Sequence, residues 1–207
     1  VYATTSSQVY GGKEGESPAT HAAIAATRGL VLTQDGKIIL ALFHANSGGR
    51  TEAVENIWGF TRPYLINVKD SFSLQHPGDA WEKTFTADEL QERIKAFGLP
   101  SGSIEDIVPV EKASSGRIKK LKVIQGDTGF FLSGNSFRLI VGAGKIKSTH
   151  FEVKKRKGKF IFTGTGYGHG AGMSQWGAYD MAKKGHDFRQ ILQVYYPGTK
   201  IESMNAQ

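Results

Sequence analysis

The sequence predicts a strand-dominated α+β fold, and three observations carry that expectation. Short apolar runs separated by tight-turn residues recur along most of the 207 residues. One stretch, 86–98, switches its apolar period from two to about 3.6, the helical value. Five glycines at strict two-residue spacing, from 164 to 172, then lead into two helical patterns near the end of the chain.

Taken in order, "THAAIAATRG" (20–29) reads as a short alanine-rich helix. "GLVLTQDGKIILALF" (29–43) is two apolar runs joined through Asp35-Gly36, a hairpin signal. "YLINVKD" (64–70) and "AWEKTFT" (80–86) alternate as half-buried strands do. Over 86–98, Thr86 is an N-cap with Glu89 completing a capping box, Leu90, Ile94 and Phe97 form a stripe, and Gly98 stops it. Residues 116–134 return to strands with glycine-rich turns, and 148–164 form a hairpin turning at Lys157-Gly158. A Gly-rich strand then precedes helices over Met173 to Lys184 and Phe188 to Tyr195, separated by Gly185 and ended by Pro197-Gly198. The expected organisation is one domain over 1–207, with a small inserted lobe at about 80–112.

Composition narrows the function classes. Hydrophobic content of 39% with 22% charged residues argues against wholesale disorder. No apolar run approaches the ~18 residues of a membrane span. The chain opens at "VYATTSSQVYGG" without an initiator Met, so a processed or trimmed piece of a longer protein is expected. A net charge of +7 favours polyanions: nucleic acid, anionic lipid or an anionic cell wall. The basic stretch "VKKRKGK" (153–159) reads as solvated lysines on a hairpin, blunting a sheet edge. No nucleic-acid motif accompanies the charge, so nucleic acid is not an expected partner. The absence of cysteine excludes disulfides and cysteine zinc sites. The histidines at 21, 44, 76, 150, 169 and 186 include no H-E-x-x-H pair, which leaves open only a metal site assembled in three dimensions; no metal or cofactor is expected.

The glycine run "GTGYGHGAGMSQWGA" (164–178) fits neither G-x-G-x-x-G nor a P-loop, and its serine segment is one residue longer than G-x-S-x-G. Alternating glycines in an extended segment clear one face for close approach and present Tyr167 and His169 on the other. With Gly168 and Gly170 flanking His169, and Ser174 and Gln175 following, the arrangement suits a sugar ring. The alternative is tight packing against a helix, with His169 a structural residue. A second polar cluster, "FHANSGGRTE" (43–52), places His44, Asn46, Ser47, Arg50 and Glu52 around Gly48-Gly49 after an apolar strand, where functional loops concentrate. Glu52 is a weak candidate acid and equally the first turn of a helix. "WGFTRPYL" (58–65) is compatible with a groove wall or with core.

Together "FHANSGGRTE", "PYLINVKD", "SGRIKKLKV", "NSFRLIVG", "STHFEV" and "GYGHGAGMSQWGA" with its helical continuation resemble, in order, the SpoIID/LytB family. These are stage II sporulation protein D and the amidase enhancers. The resemblance covers essentially the whole chain. It implies a lytic transglycosylase of the bacterial cell envelope, membrane-anchored or secreted, acting on peptidoglycan glycan strands already stripped of stem peptides. One carboxylic acid protonates the glycosidic oxygen, and the sugar's own C6 hydroxyl attacks the anomeric carbon to leave a 1,6-anhydro end. An amidase and membrane-anchored proteins are the implied partners. On this reading His44, Ser47, Glu52, Tyr167, His169, Ser174 and Gln175 line the groove, with Gly48, Gly49, Arg50, Gly168 and Gly170 beside them. The family's catalytic Glu lies on a helix upstream of "SSQVYGG", so the acid is expected to be missing from these residues. Some members hold a metal through cysteines, one near the position of Ser7; without cysteine no metal is carried over. The alternative function is a non-catalytic wall-binding module or amidase activator.

Overall fold

The computed structural model describes residues 15–75, 79–100 and 102–204. Ser7, His76 and the opening stretch lie outside the described residues. The architecture is a mixed α+β fold of small sheets and short helices, as expected. It divides into two compact units, Val1–Ile39 with Lys200–Gln207, and Leu40–Thr199.

In the smaller unit, helix α1 (Pro18–Ala26) starts at the N-cap Ser17 with a capping box to Thr20. Strand β1 (Leu30–Gln34) pairs antiparallel with β2 (Lys37–Ile38) through the Asp35-Gly36 turn and, on its other edge, with β11 (Lys200–Ser203).

In the larger unit, β3 (Phe43–His44) runs into the loop of the second polar cluster, and α2 (Glu55–Trp58) follows. The strand expected at 64–70 is instead an irregular segment. Tyr64 and Leu65 are both buried although adjacent, which a half-buried strand forbids. Its backbone bonds go to loop partners, Val54 N–H to the Leu65 carbonyl and Thr51 N–H to that of Val68. A 3₁₀ turn covers Ser71–Gln75.

Within the larger unit, residues 80–112 contribute to two sheets. Strand β4 (Ala80–Thr86) pairs with β9 (Lys159–Thr165), which pairs with β8 (Phe151–Arg156). A second antiparallel sheet holds β5 (Asp106–Lys112), β6 (Ile118–Gln125) and β7 (Thr128–Ser133). Helix α3 (Ala87–Ala96), capped by Thr86 and Glu89, buries Leu90 and Ile94. Helix α4 (Gly134–Val141), which the sequence reading did not assign, buries Phe137, Ile140 and Val141. One apolar core joins these elements from Trp81 to Phe162, so 80–112 has no separate core.

Two helices close the unit: α5 (Gln175–Lys183), capped by Ser174, and α6 (Phe188–Tyr195), capped by Asp187 with Gln190. Just before them, β10 (Met173–Ser174) pairs in parallel with β3, setting Met173 opposite Phe43 and Ser174 opposite His44. That pairing joins the two polar clusters of the sequence. Among the described residues no helix is long and apolar enough to cross a membrane.

Candidate functional site

The glycine run leaves the strand at Thr165. Beyond it the backbone is not extended: φ is +114° at Gly168 and +94° at Gly170, and it is also positive at Gly166 and Gly172. The even-numbered residues are glycines because an L side chain is strained there and because neighbours press close. A Cβ at Gly168 would stand 2.7 Å from the His44 Cβ, and one at Gly170 would stand 2.7 Å from the Arg117 guanidinium carbon. The expectation of an extended strand with one cleared face is corrected by this geometry. The glycines let the run pack against the 44–48 loop and over Arg117.

Beneath the run lies a buried polar network drawn from four segments. Ser47 Oγ donates to Asp70 Oδ2 at 2.8 Å and lies 2.9 Å from Ser73 Oγ, which also bonds the Asp70 carboxylate. Ser174 Oγ sits 2.8 Å from Ser73 Oγ and accepts from the N–H groups of Ser47 and Gly177. Asn46 exchanges backbone bonds with Tyr167, while its side chain accepts from Gly48 N–H and donates to the Ser73 carbonyl. Ser47 and Ser174 have no exposed surface. Their hydroxyls fix the two loops against each other and do not face solvent.

Glu52 is equally enclosed, at 2% exposure. Its carboxylate accepts from Ala53 N–H at 2.9 Å, Asn56 Nδ2 at 2.8 Å and the Ser115 hydroxyl. A carboxylate held as an acceptor by three donors is an anchor for the loop, poorly placed to give a proton to a substrate. Arg117 is buried beside it and donates from Nη2 to the Ser47 carbonyl at 2.7 Å. Burial lowers the Arg117 pKa to about 10, with the Glu52 charge opposing, so the guanidinium stays charged at neutral pH. Sequence reasoning missed Asp70, Ser73, Ser115 and Arg117 as members of this network.

Two histidines sit on top. His44 Nδ1–H donates to the Ala171 carbonyl at 3.1 Å, leaving a buried Nε2 without a partner. Burial, then the Arg117 charge and His169, hold its pKa well below the usual value. His169 Nδ1 accepts from Ala171 N–H at 3.1 Å. Burial and the Arg138 and Arg117 charges bring its pKa to about 4, against a hydrogen bond to the Phe43 backbone that raises it. Both rings are neutral at neutral pH.

From these rings a chain of aromatic contacts runs outward, tilted by 58° at His44–His169 and 56° at His169–Trp58 and stacked at Trp58–Phe60. His44 and His169 lie 5.6 Å apart, His169 and Trp58 5.0 Å, Trp58 and Phe60 6.4 Å, and the Arg62 guanidinium is 5.2 Å from the Phe60 ring. Trp58 is 43% exposed and Tyr167 44%, and Lys147 Nζ lies 5.8 Å from the Tyr167 ring. Phe43 on β3 and Trp176 in the first turn of α5 are also exposed. Of the sequence candidates, Tyr167, Arg50 and Gln175 are exposed, His169 is half-buried, and His44, Ser47, Gly48, Glu52, Gly170 and Ser174 are buried. Gly49 and Gly168 are half-buried. Arg50 bonds Asn67 at 3.2 Å and faces away into its own loop contact. Among the described residues no group of three or more His, Asp or Glu side chains could hold a metal ion.

Residues 79–172 match the model of a domain of unknown function, DUF8618. The chain is 32% identical over 202 residues to an uncharacterized protein of Brachyspira hyodysenteriae, covering 98% of this chain and 54% of that protein. It is 30% identical over 245 aligned positions to the amidase enhancer of Bacillus subtilis, covering 97% of this chain and 35% of the relative. It is 35% identical over 184 residues to stage II sporulation protein D of Bacillus subtilis, covering 89% of this chain and 51% of the relative. The chain thus spans about half the length, or less, of the curated relatives it matches.

Proposed function

From the premise that the chain belongs to the SpoIID/LytB family, that of stage II sporulation protein D and the amidase enhancer, we propose that these residues form the strand-binding part of a peptidoglycan-glycan-cleaving protein. It works in the bacterial cell envelope, in sporulation-linked wall remodelling. The observation that carries this reading is the run of ring contacts His169–Trp58–Phe60, with Arg62 over Phe60 and with Trp58 and Tyr167 exposed. Flat apolar faces with cations at their rims suit sugar rings, which stack by their C–H faces and hydrogen-bond through their hydroxyls. The +7 charge draws such a domain to an anionic wall.

The chemistry implied by the family needs a protonated carboxyl at the scissile bond. That proton goes to the leaving oxygen, the C6 hydroxyl attacks the anomeric carbon, and its proton returns to the same carboxylate. Glu52 does not fill this role, because its carboxylate is buried and already engaged by three protein partners. Neutral His169, with Nδ1 already accepting, does not fill it either. The proposed division of labour is therefore that these residues hold the strand while an acid supplied by another part of the full-length protein cleaves it. The enclosure of Glu52 also favours a second reading, a binding module that recruits or enhances an amidase and cuts nothing.

The test is incubation with glycan strands freed of peptides, followed by co-sedimentation and mass spectrometry. The 207-residue chain should bind strands and release no anhydro ends, and the full-length protein should release them. Binding without cleavage by the full-length protein selects the second reading. Absence of strand binding overturns both.

A further inference from the structure

A cavity of ≈ 430 Å³ opens in the larger unit, lined by none of the residues of the aromatic contacts above. Its lining includes Lys112 at the end of β5, Gly116 in the next turn, His150 and Glu152 at the start of β8, and Thr163 and Thr165 on β9. Glu152 and Thr163 are register partners, so their side chains share one face of the sheet. His150 is half-buried, with Nδ1 3.1 Å from Thr165 Oγ1 and, among the described residues, no hydrogen-bond partner at Nε2. Gly116, with φ +87°, brings the turn close to this ring: a Cβ there would lie 2.9 Å from His150 Nε2.

The charges around this cavity are not spent on each other. Among the described residues Lys112 makes no ion pair, and Glu152 meets only Lys154, at 3.7 Å and with both side chains largely exposed. The buried Arg117 charge and Lys112 act on His150, with the buried Glu52 charge opposing them. One end of the cavity is therefore electropositive with a ring nitrogen, and the other carries a carboxylate with a threonine hydroxyl. A simple anion would be repelled by Glu152 and a simple cation by Lys112 and Arg117.

We propose that this cavity binds a small dipolar ligand, the carboxylate toward Lys112 and His150 and the ammonium toward Glu152 and Thr163. An amino acid, or a short peptide carrying both charged ends, has that chemistry. The volume is at the small end of ligand pockets and accommodates about two amino-acid residues. This site is independent of the strand-binding reading and stands or falls separately from it.

The experiment uses the 207-residue chain and follows the His150 ring by NMR, its signals assigned by their loss in His150→Gln. Glycine and glycylglycine are the dipolar probes; acetate, N-acetylglycine and glycinamide each lack one charge. At least one dipolar probe should give a saturable His150 shift, with the one-charge probes weaker by about tenfold or more, the loss of one charge-assisted hydrogen bond. Glycine binding alone identifies a free amino acid, and glycylglycine binding a peptide. Lys112→Met and Glu152→Gln, both at exposed positions, should each weaken binding about tenfold with unchanged melting temperature. No saturable shift with either dipolar probe overturns the proposal. So does acetate binding as tightly as glycine, or a Glu152→Gln variant that binds like the parent.

Discussion

His44 and His169 face each other with ring centroids 5.6 Å apart, held in opposite tautomers by one residue. The Ala171 carbonyl accepts from Nδ1–H of His44, and the Ala171 N–H donates to Nδ1 of His169. The second needs a neutral imidazole, because a protonated His169 has no lone pair at Nδ1, whereas His44 is kept neutral by burial and the neighbouring charges. The folded pKa is about 4 for His169 and well below its ordinary value for His44, whereas an unfolded histidine titrates at about 6.5. Between those values the unfolded chain binds more protons, so these residues stabilise fully above pH ~6.5 and less as pH falls toward 4.

Urea unfolding should therefore give a free energy that declines from pH 7.5 to pH 4.5. Replacing His169 by Gln should flatten that decline by up to about 1.4 kcal/mol per pH unit, the linkage of one proton. Parallel profiles for parent and variant would show that His169 is not held neutral by the fold.

Gly170→Ala should be a costly single-methyl addition. The new Cβ meets the Arg117 guanidinium at 2.7 Å and φ is +94°, so strain and a displaced buried charge add. A loss of about 3 kcal/mol or more is expected. Gly185→Ala is the control: φ is +89° but nothing lies within 4 Å of its Cβ. It should cost only about 1 kcal/mol, the backbone share alone. Equal losses would remove the close approach from the argument.

Asp70 is the acceptor for two buried serine hydroxyls. Asp70→Ala leaves them without it and should lower stability by about 3 kcal/mol, read from the denaturation midpoint at constant m-value. A change within about 0.5 kcal/mol, typical of an uninvolved surface site, would mean that the network does not hold the loops.

Binding to intact cell wall should weaken with salt more steeply than binding to peptide-free strands. Intact wall carries peptide carboxylates, and exposed charges are screened over about 8 Å at physiological ionic strength. Equal salt slopes on the two materials would show that the +7 charge plays no part.

Local signals in the sequence were legible where one segment suffices. The Thr86–Glu89 capping box, the Asp35-Gly36 turn and the Phe188–Tyr195 helix each depend on neighbours in the chain, and the structure has all three. Alternation at 64–70 misled because Tyr64 and Leu65 are buried together in a loop, which tertiary packing permits and periodicity does not reveal. The glycine run stood out, but its spacing is shared by an extended strand and by a chain of positive-φ turns; only the approach of Arg117 and His44 separates them. The polar network was illegible because Ser47, Asp70, Ser115 and Ser174 come from distant segments. Composition registers such serines as surface residues. Trp58 was legible as an aromatic and not as an exposed one, since exposure depends on what the fold leaves uncovered.

The central claim, that the exposed ring stack holds a glycan strand, is tested most directly by a binding isotherm on peptide-free strands for Trp58→Ala beside the parent. Trp58 is 43% exposed and α2 buries none of its residues, so the melting temperature should stay within a few degrees. Losing one stacking face should weaken strand binding by about tenfold. Phe131→Ala, which removes an exposed ring from the β7 sheet, serves as the control and should bind like the parent. A Trp58→Ala chain that melts and binds as the parent does would contradict the account.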